Sequence, residues 1–122
     1  MQKPNHPDEI GPLFVERANA GDVDGLVALY EPDAVLAVGA GAMARGAVEI
    51  RAFYAGLLDK GIRFVLGRQQ PALIQGNIAL TCTMLSDGTI TVEVARKQAD
   101  GSWRWAADNP SLAAFWSAPK AD

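Results

Sequence analysis

The stretch Thr89–Pro110, TITVEVARKQADGSWRWAADNP, decides the fold. Apolar and polar residues alternate on both sides of Asp100-Gly101, and Asp-Gly between two alternating runs signals a β-hairpin. Taking Asp100 and Gly101 as a two-residue turn sets residue 99 against 102 and 98 against 103. Glu93 then lies opposite Asp108 on one face, with Cβ atoms about 4.5–5.5 Å apart. Ala95 opposite Ala106 and Lys97 opposite Arg104 share that face. The other face carries Val92, Val94, Trp103, Trp105 and Ala107, with Arg96 opposite Trp105 in reach of a cation–π contact.

Working outward, 62–70 and 77–86 alternate in the same way and flank Gln75-Gly76-Asn77. Asp87-Gly88 divides 77–86 from 89–98, and 102–110 completes a meander. Before Gly61 the period is helical. Pro12 suits a first helical turn, Leu13, Phe14 and Ala18 recur at helical spacing, and Gly21 stops the run. Asp22 caps a second helix, with Leu26, Leu29 and Tyr30 inward, that runs to about Tyr30 before Pro32. Residues 35–38 form a short strand. GAGAMARG at 39–46 is a loop whose glycines lack phosphate-binding spacing. A third helix covers 47–60, with Ile50, Phe53, Tyr54, Leu57 and Leu58 as one stripe. Arg45-Gly46 marks its start. Helices followed by an antiparallel meander give an α+β fold, with helices on one face of a curved sheet.

The 122 residues, 49% apolar, amount to a single domain over 1–122, with its core at about 12–111 and loose tails at 1–11 and 112–122. Lys+Arg total 11 against 14 Asp+Glu, for a net charge of -3, so no basic footprint exists for nucleic acid or an anionic membrane. One Cys excludes an internal disulfide, and one His argues against a zinc site, so no metal is expected. No run of about 18 apolar residues offers a membrane span. The start, MQKPNHPDEIGP, has no apolar leader segment, and the expectation is a soluble cytoplasmic protein. No cofactor motif is visible.

Two carboxylates side by side must face water, share a cation, or share a proton with one pKa raised. The third arrangement is used in acid–base catalysis. Two readings of the hairpin follow. In one, the Trp/Val face is core and the charged face is solvated. In the other, the alanine face is a cavity floor beneath the helices, and the Trp/Val face is buried against a second subunit.

AGDVDGLVALYEPDAVL, RGAVEIRAFYAGLL and VARKQADGSWRWAADNPS, spread over residues 13–111, resemble the SnoaL-like, DUF4440-type proteins of the NTF2-like superfamily. The resemblance implies a cone in which three N-terminal helices wrap a strongly curved antiparallel sheet around a pocket. It also implies a homodimer joined through the outer sheet face, here Val92, Val94, Trp103 and Trp105, which favours inward carboxylates. The superfamily holds ketosteroid isomerases, polyketide cyclases, dehydratases, hydrolases and non-catalytic binders, so fold does not give function. In ketosteroid isomerase a first-helix tyrosine donates to the oxyanion; that position matches Phe14 here. Its aspartate base matches Val38, and its protonated acid matches Glu93. One of three roles survives. A His-containing dyad, used by several dehydratase relatives, is not expected, since His6 lies in the lead-in. Asp108, in DNPS, falls where the superfamily lines its pocket from the last strand.

The site expected is therefore Glu93 and Asp108 as an acid/base unit in a pocket for a small apolar or carbonyl-bearing molecule. Phe14, Tyr30, Val38, Tyr54, Ala95 and Ala106 are its binding residues. Arg104 or Lys97 would hold an anionic substrate at the rim. The alternative is a non-catalytic, dimeric ligand-binding or protein-interaction module. Cys82 reads as a buried inert thiol, Met84 and Met43 as gap fillers or pocket wall, and Arg51 and Arg63 as solvated.

Overall fold

The computed structural model describes residues 1–112. A 3-10 turn at Pro7–Glu9 leads into α1 (Ile10–Asn19) and α2 (Val23–Val27). Then come β1 (Tyr30–Gly39), β2 (Ala42–Arg45), α3 (Gly46–Asp59), β3 (Arg68–Gln69), β4 (Leu73–Gln75), β5 (Ile78–Met84), β6 (Ile90–Lys97) and β7 (Trp103–Asn109). The sheet order is β2-β1-β7-β6-β5-β3, with β4 also on β5. β1 runs parallel to β7, so the curved sheet is mixed rather than wholly antiparallel.

The helices form for the expected reasons. Ile10, Leu13, Arg17 and Ala18 make the buried stripe of α1. Asp22 Oδ1 caps α2 by accepting from Gly25 N–H at 2.9 Å. Glu49 Oε1 reaches back to Arg45 N–H at 2.8 Å, and Ile50 and Tyr54 fix α3 on β1 and β2. Beneath the helices the core joins Ile10, Leu26, Leu29, Leu36, Ile50 and Trp103.

Several boundaries differ from the sequence reading. The second helix stops at Val27, and Tyr30 opens β1. Pro32 is tolerated within that strand because the ladder to β7 breaks between Tyr30 and Val35. Half of the expected loop at 39–46 is β2, which forms a hairpin with β1 turned at Ala40-Gly41 with φ of 54° and 80°. Of the expected strand at 62–70 only Arg68–Gln69 pairs, while β4 forms a short hairpin with β5 across Gly76-Asn77. The lead-in is not loose. Pro4 and Pro7 are buried, Pro4 O accepts from Trp103 N–H at 2.9 Å, and Arg17 donates to Gln2 O and Gly25 O. Of the expected tail, 113–122 lie outside the described residues.

The hairpin register carries the main correction. Asp100-Gly101 is not a two-residue turn. Gln98 N–H donates to Ser102 O at 2.7 Å across a three-residue loop, Ala99-Asp100-Gly101, and Gly101 takes φ 86°. Lys97 therefore faces Trp103, Arg96 faces Arg104 and Ala95 faces Trp105, each one place from expectation. Ala106 is then left over as a bulge, which restores Val94 to Ala107 and Glu93 to Asp108. A bulge reverses the alternation beyond it. Trp103 and Trp105 consequently point the same way as Asp108, into the core, and are only 5% and 6% exposed. They are neither an outer face nor a dimer surface. Arg96 makes no contact with Trp105; its Nε donates to Glu31 Oε2 at 2.9 Å. Each of the two readings of the hairpin was half right: acids and tryptophans share the inner face.

Candidate functional site

Glu93 sits mid-strand on β6 and Asp108 near the end of β7, paired in register. The row continues to Thr81 on β5 and Leu36 on β1, so four adjacent strands position it. Thr81 Oγ1 donates to Glu93 Oε1 at 2.7 Å. On the other side, Tyr30 Oη donates to Asp108 Oδ2 at 2.5 Å. Tyr30 Oη also lies 2.8 Å from Tyr54 Oη, and with its own proton given to Asp108 it accepts from Tyr54. A directional chain thus runs from α3 through the start of β1 to the last strand.

The acids are 7% and 8% exposed. Burial pushes the Asp108 carboxyl up to about 8, the negative charge of Glu93 adds to this, and the Tyr30 hydrogen bond opposes it. Burial also raises Glu93, against the hydroxyls of Thr81 and Thr91. The Tyr30 and Tyr54 phenols are raised by burial first and by Asp108 next, so both stay protonated and remain donors. Near neutral pH the acid pair retains a proton that two exposed carboxyls would have lost. It is equipped to give a proton and to take one.

Both acids border a cavity of about 960 Å³ between the helices and the sheet. Phe14, Val38, Phe53, Tyr54, Phe64 and Trp105 supply apolar wall. Phe14 packs edge-on against Tyr54 and Phe64, with ring centres 5.4 and 5.2 Å away. Of the expected binding residues, Phe14, Val38 and Tyr54 are on this wall. Tyr30 stands behind it as the partner of Asp108. Ala95 is fully buried under Trp105, its register partner, and does not border the cavity. Ala106 is the bulge residue and Arg104 borders a separate small cleft beside Arg17; neither they nor Lys97 reach the cavity. Met84 borders it and exposed Met43 does not; Cys82 is half-buried at its edge. Arg51 is exposed and pairs with Asp24, whereas Arg63 borders the cavity.

Sequence reasoning missed Thr81, Trp105 and the 61–68 segment. Thr81 was hidden by the turn. A two-residue Asp87-Gly88 turn would set Cys82 beside Glu93, but Leu85 N–H donates to Thr89 O at 2.8 Å across a three-residue loop. Gly88, at φ 88°, closes that loop as Gly101 closes the next. Among the described residues, no group of three or more His, Cys, Asp or Glu could hold a metal ion, and no helix is long and apolar enough to cross a membrane.

The SnoaL-like domain family matches residues 13–111, and the chain belongs to that family. Its fold is that of the NTF2-like, cystatin-like proteins. An NTF2-like protein with a cystatin-like fold from Novosphingobium aromaticivorans superposes with a TM-score of 0.64 at 19% identity, over 92% of this chain and 86% of that one. A ketosteroid isomerase-like protein from Erwinia carotovora atroseptica gives 0.66 at 19% identity, over 84% and 89%. A Mycobacterium tuberculosis protein of unknown function gives 0.67 at 16% identity, over 84% of this chain and 66% of its own length. At these identities the likeness concerns the fold.

Proposed function

We propose that the cavity binds a small, mainly apolar carbonyl compound and that Glu93 and Asp108 act on it as an acid/base unit of isomerase, cyclase or dehydratase type. The observation that carries this reading is the buried, in-register pair of acids on the cavity wall. Asp108 holds the proton and donates it toward the carbonyl oxygen. Glu93 removes a proton from the adjacent carbon. Tyr30 and Tyr54 position Asp108, while Phe14 and Val38 provide contact surface without a titratable group. Acid–base chemistry at such a carbon exchanges its hydrogens with solvent. Acetophenone in deuterium oxide should therefore exchange its methyl hydrogens in the presence of the protein, as followed by NMR. Glu93→Gln should slow that exchange by about 100-fold or more while the fold persists. Acetophenone that binds without exchanging would leave a non-catalytic binding module, the reading that Phe14 and Val38 favour.

We also propose a homodimer through the outer sheet face, now without the tryptophans. Ile78 and Leu80 are 38% and 44% exposed, and register places them beside Arg96 and Val94 on the face away from Glu93. Apolar strand faces of this kind are covered in stable assemblies. Leu80→Asp should convert a dimer into a monomer in sedimentation velocity. A monomeric parent protein would end this assignment.

A further inference from the structure

Beside its apolar wall the cavity border carries two arginines. Between α3 and β3 the chain runs Gly61-Ile62-Arg63-Phe64-Val65-Leu66-Gly67-Arg68. Asn19 clamps this segment: its Nδ2 donates to Phe64 O at 2.8 Å and its Oδ1 accepts from Phe64 N–H at 2.9 Å. Gly67 passes close to β5, where a Cβ would meet Met84 O at 2.4 Å. Clamped at both places, the segment directs the Phe64 ring inward and leaves Arg63 and Arg68 exposed on the cavity border.

Neither guanidinium has a salt-bridge partner among the described residues, whereas Arg51 and Arg96 are paired with Asp24 and Glu31. Besides Glu93 and Asp108, two acids border the cavity, and both are hydrogen-bonded to backbone N–H groups. Asp8 Oδ1 accepts from Ala72 N–H at 3.1 Å, and Asp87 Oδ1 accepts from Thr89 N–H at 2.9 Å. Two guanidiniums with acids on the same border suit one negative charge better than the two of a phosphate monoester, which those acids would repel more strongly. A guanidinium fork also matches a carboxylate in shape.

We infer that the substrate carries a carboxylate at the end remote from its carbonyl, and that Arg63 and Arg68 hold that carboxylate at the mouth. This rests on the carbonyl reading of Glu93 and Asp108 and adds the substrate class to it. It also moves the rim cations from the last hairpin, where Arg104 and Lys97 were expected, to the segment after α3. The ligand is thus an amphiphilic keto acid, with its carboxylate outward and its apolar body along Phe64, Phe14 and Trp105.

The test titrates the full chain with decanoate and with methyl decanoate at neutral pH by calorimetry. Decanoate should bind about tenfold more tightly than its ester, a preference that shrinks as salt is raised. In the double variant Arg63→Gln, Arg68→Gln that preference should vanish while ester binding is retained. Arg63→Lys with Arg68→Lys should keep part of it. Equal binding of acid and ester, or a preference that survives the double glutamine variant, overturns the inference, and so does failure of both probes to bind. Acetophenone exchange is read separately, so loss of the carboxylate anchor and loss of the carbonyl site are distinguishable.

Discussion

Asp108→Asn raises the melting temperature at about pH 8 and flattens its dependence on pH. The sign follows from proton linkage. In the folded chain Asp108 titrates near 8, because burial and the charge of Glu93 disfavour its ionised form. In the unfolded chain it titrates near 4. Between these values the folded state binds more protons than the unfolded state, so the contribution is full below about pH 4 and is lost as pH rises toward 8. The energy at stake is on the order of a few kcal/mol, or roughly 10 °C for a domain of this size. Asparagine keeps an acceptor for Tyr30 and carries no charge against Glu93, so it removes the loss and leaves the packing. Thermal melts of both proteins at about pH 5 and pH 8 check this. A parent protein whose melting temperature holds constant over that window would mean that the acid pair is wet, and the acid/base proposal would lose its basis.

Deleting Ala106 abolishes cooperative folding. In β7 this residue is the extra one, opposite nothing on β6. Without it the alternation of the strand no longer reverses. If Asp108 stays beside Glu93, Trp103 and Trp105 swing to the outer face; if the tryptophans stay, Asp108 and its bond to Tyr30 leave the cavity. Two buried tryptophans are worth several kcal/mol each, about as much as the whole stability of a small domain. Ala106→Gly, which keeps the bulge, should cost about 1 kcal/mol. Circular dichroism melts and amide dispersion in NMR separate the outcomes. A cooperative, dispersed deletion variant would show that the bulge is dispensable.

The fold class and the partnership of Glu93 with Asp108 were legible in the sequence. The partnership was legible for an incomplete reason. Reading Asp100-Gly101 as a two-residue turn shifts the register by one place, and missing the Ala106 bulge shifts it back. The two offsets cancel at Glu93 and accumulate nowhere beyond it, which is why Asp108 was found while Trp103, Trp105, Ala95, Ala106 and Arg104 were misplaced. Asp-Gly suits both turn types, since both need a glycine at positive φ. The choice lies in how the strands twist together. The bulge has no residue signature either, because Ala106 and Ala107 fit both roles sterically. Tyr30 looked helical because Leu26, Leu29 and Tyr30 share helical spacing. Its parallel bridge to Trp105 is a long-range contact that no local pattern encodes. Arg63 and Arg68 fall in an alternating run whose pattern reads as one strand; only Arg68 joins β3, and the tertiary clamp from Asn19 turns the segment into a rim.

The aromatic wall has an optical consequence. The Trp105 ring centre lies 5.3 Å from Tyr30 and 5.6 Å from Phe14, and Tyr30 lies 6.1 Å from Tyr54. Rings this close and held at fixed angles exchange excitation energy and lend rotational strength to each other's near-ultraviolet bands, a signature that exists only while packing is fixed. Trp105 borders the cavity, so its emission colour follows the polarity of whatever fills the space beside it. The domain is built as its own spectroscopic reporter, able to register an occupant without any attached dye.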